Sequence, residues 1–364
     1  MTVREHDEPL TLAAYAILNE PGDQARNYHD ALGLFARAER LGVEGLWVRQ
    51  FHLRRPGPDT QSAPAGGLPS PFVFLAWLAA RTSRLRLGTG AVTLPLESPL
   101  RVAEDAAVLD ALSGGRVELG VANGGSAPDL AELFRGPASA GRPAAGTDAA
   151  ADRREAYQAG LTRLADALDG ARLSAAGAQL NPPSPGLADR IWEATLTDQS
   201  GYDTGARGHG VLIGTTQTVP AEVTARAYYR GLDRYRAEHG PRPPRVGLAT
   251  LIYPAKDRET ALREARAGIE EKYEWGRSFL PPATTLAEKA ASIGLHYGTA
   301  EQIAESIRAQ PWFGYATQLM VQTELFYASY AHRAEALEEF TREVAPALGW
   351  RGAPAAASPA SEVR

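Results

Sequence analysis

The sequence predicts an α/β chain folded as a (β/α)8 TIM barrel with loop insertions. Between Pro69 and Gly125 the chain twice alternates an apolar helix with a strand through short connections, which is typical of parallel βα units. Eight strand-like segments, nearly all separated by helices, follow one another along 364 residues, and such a barrel needs about 250. An open doubly wound sheet is less favoured, because residues 18–23 carry no glycine-rich dinucleotide fingerprint after the first strand.

Apolar periodicity and Gly/Pro punctuation place the elements in order. The first half is predicted to form strand 10–18, helix 24–41, strand 44–48, polar loop 54–69, helix 71–83, strand 85–96, helix 99–113 and strand 116–123. The second half is predicted to form helix 152–168, strand 190–196, turn 197–205, strand 209–214, helix 220–239, strand 245–253, a helix from residue 299, strand 315–322 and helix 326–348.

Helix starts are marked by capping residues. The pairs Ser70-Pro71 and Ser98-Pro99 each offer a capping hydroxyl followed by proline at the first helical position. Asp152 with Glu155, and Thr299 with Gln302, have the spacing of a capping box.

Two long segments, 126–151 and 271–296, are candidates for a mobile lid, although a surface excursion without a role is the alternative for each. Residues 1–9 are predicted to be an N-terminal extension, residues 10–350 a single barrel domain and residues 351–364 a disordered tail.

Composition excludes several classes of function. The net charge of −5, with scattered basic residues, argues against a nucleic-acid partner. The first ten residues resemble neither a secretory signal nor a membrane span, so we expect a cytoplasmic protein without a membrane partner. With no cysteine and seven histidines that lack metal-ligand spacing, no metal site is predicted.

Two helix starts could bind an anion. Arg101 lies in the first turn of the helix opened by Ser98-Pro99, where the helix dipole disfavours a cation unless an anion is nearby. The alternative is a surface arginine paired with Glu97 or Glu104. Gln199, Ser200 and Gly201 form a second turn suited to phosphate.

Glycines within the strand at residues 88–91 allow a flat ring to approach the backbone, or else a tight barrel bend. His52, after the second strand, is the best general acid or base candidate, with a structural role as the alternative. Tyr15 and Trp47 suggest a partly apolar pocket, and no charged constellation at the strand ends identifies the substrate.

Three stretches resemble the bacterial-luciferase-like flavin monooxygenases, and specifically a subgroup described as FMN-dependent luciferase-like monooxygenases. They are AERLGVEGLWV at 38–48, the long block at 68–125 and GTAEQIAESI at 298–307. The resemblance implies a (β/α)8 barrel that binds FMN.

The resemblance also implies roles for single residues. Arg101 matches the arginine that binds the flavin phosphate, and Gln199-Ser200 matches an acid-serine pair on the same phosphate, with Gly201 beside it. Gly90-Ala91 matches a non-proline cis peptide under the isoalloxazine ring, and Asn123 is expected near that ring.

One motif departs from the family. Where many relatives have Glu-His-His or Gln-His-His after the second strand, this chain has Gln50, Phe51 and His52. Either His52 replaces the missing first histidine, or the chemistry needs no base, or oxygenase activity is lost. Gln50 and His52 are therefore the catalytic candidates, and Phe51 with Tyr15 the candidates for the substrate pocket.

The implied function is that of an FMNH2-dependent two-component monooxygenase, in which a flavin peroxide oxidises an organic small molecule. Its expected partners are molecular oxygen, an organic substrate and a separate flavin reductase that supplies FMNH2, and a homodimer is expected because relatives often dimerise. The alternatives are hydride transfer with a deazaflavin cofactor and a non-catalytic flavin-binding protein.

Overall fold

The computed structural model describes residues 9–18, 23–53, 67–124, 133–134, 149–215, 219–278, 280–325 and 328–352. The predicted N-terminal extension, the polar loop 54–69, the segment 126–151 and the tail therefore lie wholly or mostly outside the described residues.

The strands form one closed, parallel barrel, as predicted. They are β1 Thr11–Ala16, β2 Gly45–Val48, β3 Arg86–Thr89, β4 Val92–Thr93, β5 Val117–Ala122, β6 Ile191–Ala194, β7 Gly210–Ile213, β8 Val246–Pro254, β9 Leu295–Gly298 and β10 Gln318–Gln322. The barrel runs β10-β1-β2-β3-β5-β6-β7-β8 and closes by pairing of β8 with β10. Strand β9 adds to β8 alone. All nine residues of β8 are buried, as expected for a strand covered on both faces.

Helices follow the strands on the outside. They are α1 Gln24–Arg40, α2 Pro71–Ala79, α3 Pro99–Ser113, α4 Ala149–Leu168, α5 Asp198–Ala206, α6 Ala221–His239, α7 Arg258–Gly276, α8 Leu286–Ser292, α9 Ala300–Arg308, α10 Tyr330–Glu339 and α11 Ala345–Ala347. Short 3-10 turns cover Leu94–Leu96, Ala188–Arg190 and Phe313–Tyr315, and one π-helical turn covers Phe340–Val344.

Two tryptophans fill the middle of the barrel. The rings of Trp47 and Trp192 meet edge to face with centroids 5.1 Å apart, and both side chains are buried. A Cβ at Gly88 would lie 2.3 Å from Cε3 of Trp47. Gly88 is therefore explained by close packing against an indole ring, whereas the sequence suggested ring binding or a barrel bend.

The two helices predicted to follow Ser-Pro pairs begin as predicted, but their first turns are capped differently. Helices α2 and α3 begin at Pro71 and Pro99, but the capping residues Ser70 and Ser98 make no side-chain cap hydrogen bond. The prediction of a capping hydroxyl is wrong there. Each helix nevertheless begins with proline at its first helical position. The Thr299–Gln302 capping box is confirmed.

The boundaries of four elements differ from the prediction. Strand 85–96 is broken at Gly90-Ala91 and ends in a 3-10 turn. The turn 197–205 is helix α5, since Thr197 and Ser200 form a capping box. Helix α4 begins three residues before Asp152. Helix 326–348 begins only at Tyr330, after the capping residue Ser329, and includes the π-helical turn.

The segment 271–296 is not a loop. It contains the end of α7, all of α8 and the start of β9, and its apolar residues form a core cluster that includes Tyr273, Ile293 and Leu295. His296 is buried, its Nδ1 lies 2.8 Å from Oγ of Ser306, and burial lowers the pKa of its imidazole to about 4. The prediction of a loop is wrong for this segment, because it packs with β8 and the rest of α7 in that cluster, and its role as a lid stays a prediction.

No helix among the described residues is long and apolar enough to cross a membrane.

Candidate functional site

A glycine, Gly90, directly follows the carboxyl end of β3. The Gly90-Ala91 peptide is cis, as the resemblance implies, and Gly90 N donates a hydrogen bond to Val48 O at 2.7 Å. A Cβ on Gly90 would lie 3.1 Å from Cβ of Trp47 and 3.4 Å from Cε2 of Tyr15. Glycine at this position therefore allows the close approach of Trp47 and Tyr15, which a larger side chain would crowd.

At the ends of the neighbouring strands, two buried oxygen atoms have no hydrogen-bond partner among the residues that the structure describes. They are Oδ1 of Asn123, which follows β5, and Oγ1 of Thr195, which follows β6. Buried polar atoms are nearly always bonded in folded proteins, so such atoms indicate a ligand or solvent. The polar edge of a flavin ring provides both donors and acceptors, and the residues present therefore fit that group.

Gln50 joins three parts of this end of the barrel. Its Nε2 donates to Pro69 O at 3.2 Å and to Oε1 of Glu97 at 2.8 Å, and its Oε1 accepts from Thr93 N at 2.8 Å. Both polar atoms of the amide are therefore engaged, which makes Gln50 a tether between β2 and β4 in this structure.

His52 lies next to the same carboxylate. Its Nε2 is 3.5 Å from Oε1 of Glu97 and forms no hydrogen bond with any described residue, and its ring packs against Phe134 with centroids 4.5 Å apart. Burial lowers the pKa of His52, although the nearby Glu97 opposes that shift. A neutral imidazole at pH 7 can accept a proton at its free nitrogen.

Phe51 and Arg49 share one contact at the end of β2. The guanidinium carbon of Arg49 lies 4.5 Å from the centroid of the Phe51 ring, and a Cβ at Gly67 would lie 3.0 Å from Cδ2 of the same ring. An aromatic ring cannot transfer a proton, but here it supports the position of a cation.

The predicted phosphate residues occupy two separate helix starts. Arg101 is two-thirds exposed and pairs on its own helix with Glu104 and with Asp105, the latter at 3.0 Å. This pairing with Glu104 is the alternative that the sequence left open, and Glu97 contacts Gln50 and His52 instead.

On α5, Nε2 of Gln199 donates to Asp203 at 2.8 Å and Ser200 takes part in the capping box. A Cβ on Gly201 would lie 2.6 Å from Thr224 O on α6, so close packing of α5 on α6 explains this glycine. The structure brings Gln50, His52 and Glu97 into contact, and Gly90 and Tyr15 into contact, but joins Arg101 to none of the α5 residues.

Sequence reasoning missed Thr195, Arg49 and Lys272 at this end of the barrel. Thr195 directly follows β6, and strand polarity could have identified it. Arg49 lies two residues after the inward-facing Trp47, so alternation along the strand was a usable signal. Lys272 gave none, because it comes from the segment predicted as a loop. Among the described residues, no group of three or more His, Cys, Asp or Glu side chains is arranged to hold a metal ion.

The chain is similar in sequence to several curated proteins. In the first two of these relatives, the matched segment covers only 31% and 26% of the relative's own length. Limonene 1,2-monooxygenase of Rhodococcus erythropolis is 26% identical over 87% of this chain and 81% of its own length.

Two solved structures share the fold at low identity. The oxygenating constituent of 3,6-diketocamphane monooxygenase from Pseudomonas putida, in complex with FMN, aligns with a TM-score of 0.67 at 16% identity, covering 93% of this chain and 98% of its own. An F420-dependent secondary alcohol dehydrogenase aligns with a TM-score of 0.65 at 13% identity, covering 93% and 99%.

The sequence profile of the luciferase-like monooxygenases matches residues 10–342, from β1 to the π-helical turn near the carboxyl end. That match covers all the barrel strands and the candidate site. The chain therefore belongs to the luciferase-like monooxygenase family.

Proposed function

We propose that this protein is the oxygenase of a two-component system that uses reduced FMN from a separate reductase and molecular oxygen to oxidise an organic small molecule. One observation carries the proposal: Gly90 lies at the same end of the barrel as two buried oxygens, on Asn123 and Thr195, that have no hydrogen-bond partner among the described residues. Active sites of such barrels lie at the carboxyl ends of the strands. A cytoplasmic location and a homodimer remain predictions from the sequence.

FMN would be held at both of its ends. Arg101, with Gln199, Ser200 and Gly201, would hold the phosphate, because helix starts and exposed guanidinium groups favour anions. Gly90 and Ala91 would support the ring, and Asn123 would bond its polar edge. Reduced FMN, when bound, supplies the electrons with which oxygen is activated.

The reacting side would be formed by residues after β2. His52 would exchange a proton through Nε2, Gln50 would position the loop by its three hydrogen bonds, and Phe51 with Tyr15 would line the substrate pocket. Gln50 is buried and Tyr15, Phe51 and His52 are partly buried, so together they would limit the access of water to the reacting atoms.

A second candidate is hydride transfer with a deazaflavin such as coenzyme F420, which needs no oxygen. It is raised by the F420-dependent secondary alcohol dehydrogenase that shares this fold. A third candidate, a non-catalytic flavin-binding protein, rests on Phe51 at the position of the family's first histidine.

The cofactor test separates these three candidates. Purified protein is mixed with photoreduced FMN, oxygen and a substrate panel, and in parallel with oxidised deazaflavin and secondary alcohols without oxygen. We expect oxygenated product, counted against oxygen consumed, only with FMN. Reduction of the deazaflavin would support hydride transfer, and FMN binding without product would support the non-catalytic candidate. Absence of binding by either cofactor would overturn the proposal.

Arg101→Ala should weaken the binding of reduced FMN about tenfold, because a charge-assisted contact to the phosphate is lost. Anaerobic calorimetry measures the affinity. Arg266→Ala is the matched control, since Arg266 is also an exposed arginine paired four residues away on its own helix. Equal affinity of the Arg101 variant and the wild type would remove Arg101 from the phosphate site.

A further inference from the structure

We propose, resting on the function above, that Glu97 is a positioning residue for His52: its carboxylate orients the imidazole and stabilises the cation that forms when His52 accepts a proton. Glu97 lies between the 3-10 turn Leu94–Leu96 and helix α3. The sequence suggested it only as a partner of Arg101. In the structure its carboxylate contacts Gln50 and His52 instead.

Glu97 is held by an amide whose orientation the backbone fixes. Oε1 of Gln50 accepts a hydrogen bond from Thr93 N at 2.8 Å, and Nε2 donates to Pro69 O at 3.2 Å. A backbone N–H can only donate and a carbonyl oxygen can only accept, so the amide cannot be turned round without losing both bonds. Nε2 of Gln50 is therefore the atom that donates to Oε1 of Glu97, at 2.8 Å. This bond fixes the position of the carboxylate.

The same oxygen of Glu97 faces the imidazole of His52. Nε2 of His52 lies 3.5 Å from Oε1 of Glu97, which is slightly longer than a hydrogen bond. The side chain of His52 is 8% exposed and that of Glu97 is 28% exposed, and Phe134 packs on the imidazole ring. Solvent and salt therefore screen the interaction between these two groups only weakly.

The backbone around His52 separates its side chain from that of its neighbour. Leu53 has a φ of 55°, which lies in the left-handed region that leucine rarely adopts, so the chain turns directly after His52. Phe51 packs on the guanidinium of Arg49, whereas His52 lies beside Glu97. Among residues 50–52, only His52 has a side chain that can take up a proton next to this carboxylate.

A carboxylate beside a base favours the protonated base. In neutral histidine one ring nitrogen carries no hydrogen, whereas in the imidazolium both nitrogens donate. Protonation of Nε2 of His52 would therefore allow a charge-assisted hydrogen bond to Glu97, which is about twice as strong as a neutral one. Hydrogen bonds of catalytic groups are often long before the substrate binds and shorten in the complex. A separation of 3.5 Å is consistent with such a contact.

This arrangement accounts for a motif without its first histidine. Phe51 occupies that position and cannot transfer a proton. Bases in active sites are commonly oriented by a neighbouring group, which is itself held in place. Glu97 would orient His52, and Gln50 holds Glu97, so a single histidine would suffice.

The experiment measures the pKa of His52 by NMR of isotope-labelled histidine in the protein without flavin, and the His52→Gln variant identifies the signal. Burial lowers the pKa of His52 and the charge of Glu97 raises it. We therefore expect Glu97→Gln to lower the affinity of His52 for a proton about tenfold, because the neighbouring negative charge is lost. Glutamine at this position can still accept from Gln50, so the tether remains.

Glu104→Gln is the matched control. It removes the same charge from a half-exposed carboxylate that pairs with Arg101 on α3, and it should leave the proton affinity of His52 unchanged. Among the described residues, Glu97 is the charged group that acts on His52. If the protein is an oxygenase, Glu97→Gln should also move the acid limb of the kcat profile to lower pH, which a purely structural role would not do.

A second measurement uses the wild-type protein. The side-chain carboxyl carbon of Glu97, identified as the signal that Glu97→Asp lacks, should shift in step with the titration of His52. This measurement tests the proposal even if Glu97→Gln does not fold, and circular dichroism reports whether each variant is folded.

An unchanged proton affinity in Glu97→Gln, an equal loss in Glu104→Gln, or a Glu97 signal that does not follow the titration of His52 would overturn the proposal. Because neither flavin nor oxygen is present in the NMR experiments, their failure leaves the oxygenase proposal untouched. Failure of the cofactor test, in turn, leaves the interaction of His52 with Glu97 measurable.

Discussion

Glu193→Gln is expected to destabilise the fold by about 3–5 kcal/mol, because it removes a buried charge that three polar partners share. Glu193 is 2% exposed on β6, and its two oxygens lie 2.8–2.9 Å from polar atoms of Tyr157, Arg207 and His209. The partners belong to α4 and to the end of α5, so this carboxylate connects β6 to two helices. Urea unfolding at pH 7 measures the loss.

The dependence of the free energy of unfolding on acidic pH is a second test of Glu193. Hydrogen bonds and charges from His209 and Arg207 outweigh burial and lower the pKa of Glu193 from 4.5 to about 2. A carboxyl with a lowered pKa stabilises the fold fully above its unfolded value, so this contribution is lost as pH falls from about 4.5 towards 2. In the Glu193→Gln variant, the free energy of unfolding should therefore decrease less between pH 4.5 and pH 2 than in the wild type.

Glu238→Gln is the matched control, since Glu238 is half-exposed and pairs with Arg234 along one helix. Such surface pairs contribute about 0–1 kcal/mol. If both variants lost equally little stability, the buried network around Glu193 would not be the element that joins β6 to its helices. Because α5 also carries Ser200, weaker FMN binding should accompany the loss.

His52→Gln is expected to lower kcat about 100-fold, the usual contribution of a positioned acid or base. Its Nε2 is free of hydrogen bonds in the structure, and burial keeps the imidazole neutral at pH 7 by lowering its pKa. A base acts only when unprotonated, so the wild-type rate should fall with decreasing pH below the ordinary histidine value of 6.5.

The measurement is the pH profile of kcat for product formation, with FMN affinity determined separately. Glutamine keeps a polar side chain at the site but does not titrate, so the acid limb of the profile should disappear. His239→Gln serves as the control, because His239 lies exposed on α6 and stacks on Tyr235. An unchanged rate and an unchanged acid limb would favour chemistry that needs no base at His52.

The residues of the candidate site that directly follow barrel strands could be predicted from the sequence. Residues contributed by helices could not. Gln50, His52, Gly90 and Asn123 lie directly at strand ends, and the strand pattern together with the family resemblance located them. The function assigned to each remains a prediction. Lys272 was invisible because the segment around it was predicted to be a loop.

Local interactions explain why some boundaries were wrong. The segment 197–205, predicted as a turn, is helix α5 because the side chains of Thr197 and Ser200 cap it reciprocally. A capping box is usually recognised by Glu or Gln at the third helical position, and this chain has Ser there. In the same way, a Ser before proline predicted a capping hydroxyl that Ser70 and Ser98 do not supply.

The sequence by itself determined the parallel barrel, the order of its strands and the family, since these depend on local periodicity, on Gly and Pro punctuation and on contiguous motifs. Only the tertiary structure decided that Gly88 makes room for Trp47 and that residues 271–296 pack with β8 and the rest of α7 in a second core cluster. The physical reason is that burial and charge proximity arise between residues distant in the chain, and these interactions leave no periodic pattern in the sequence.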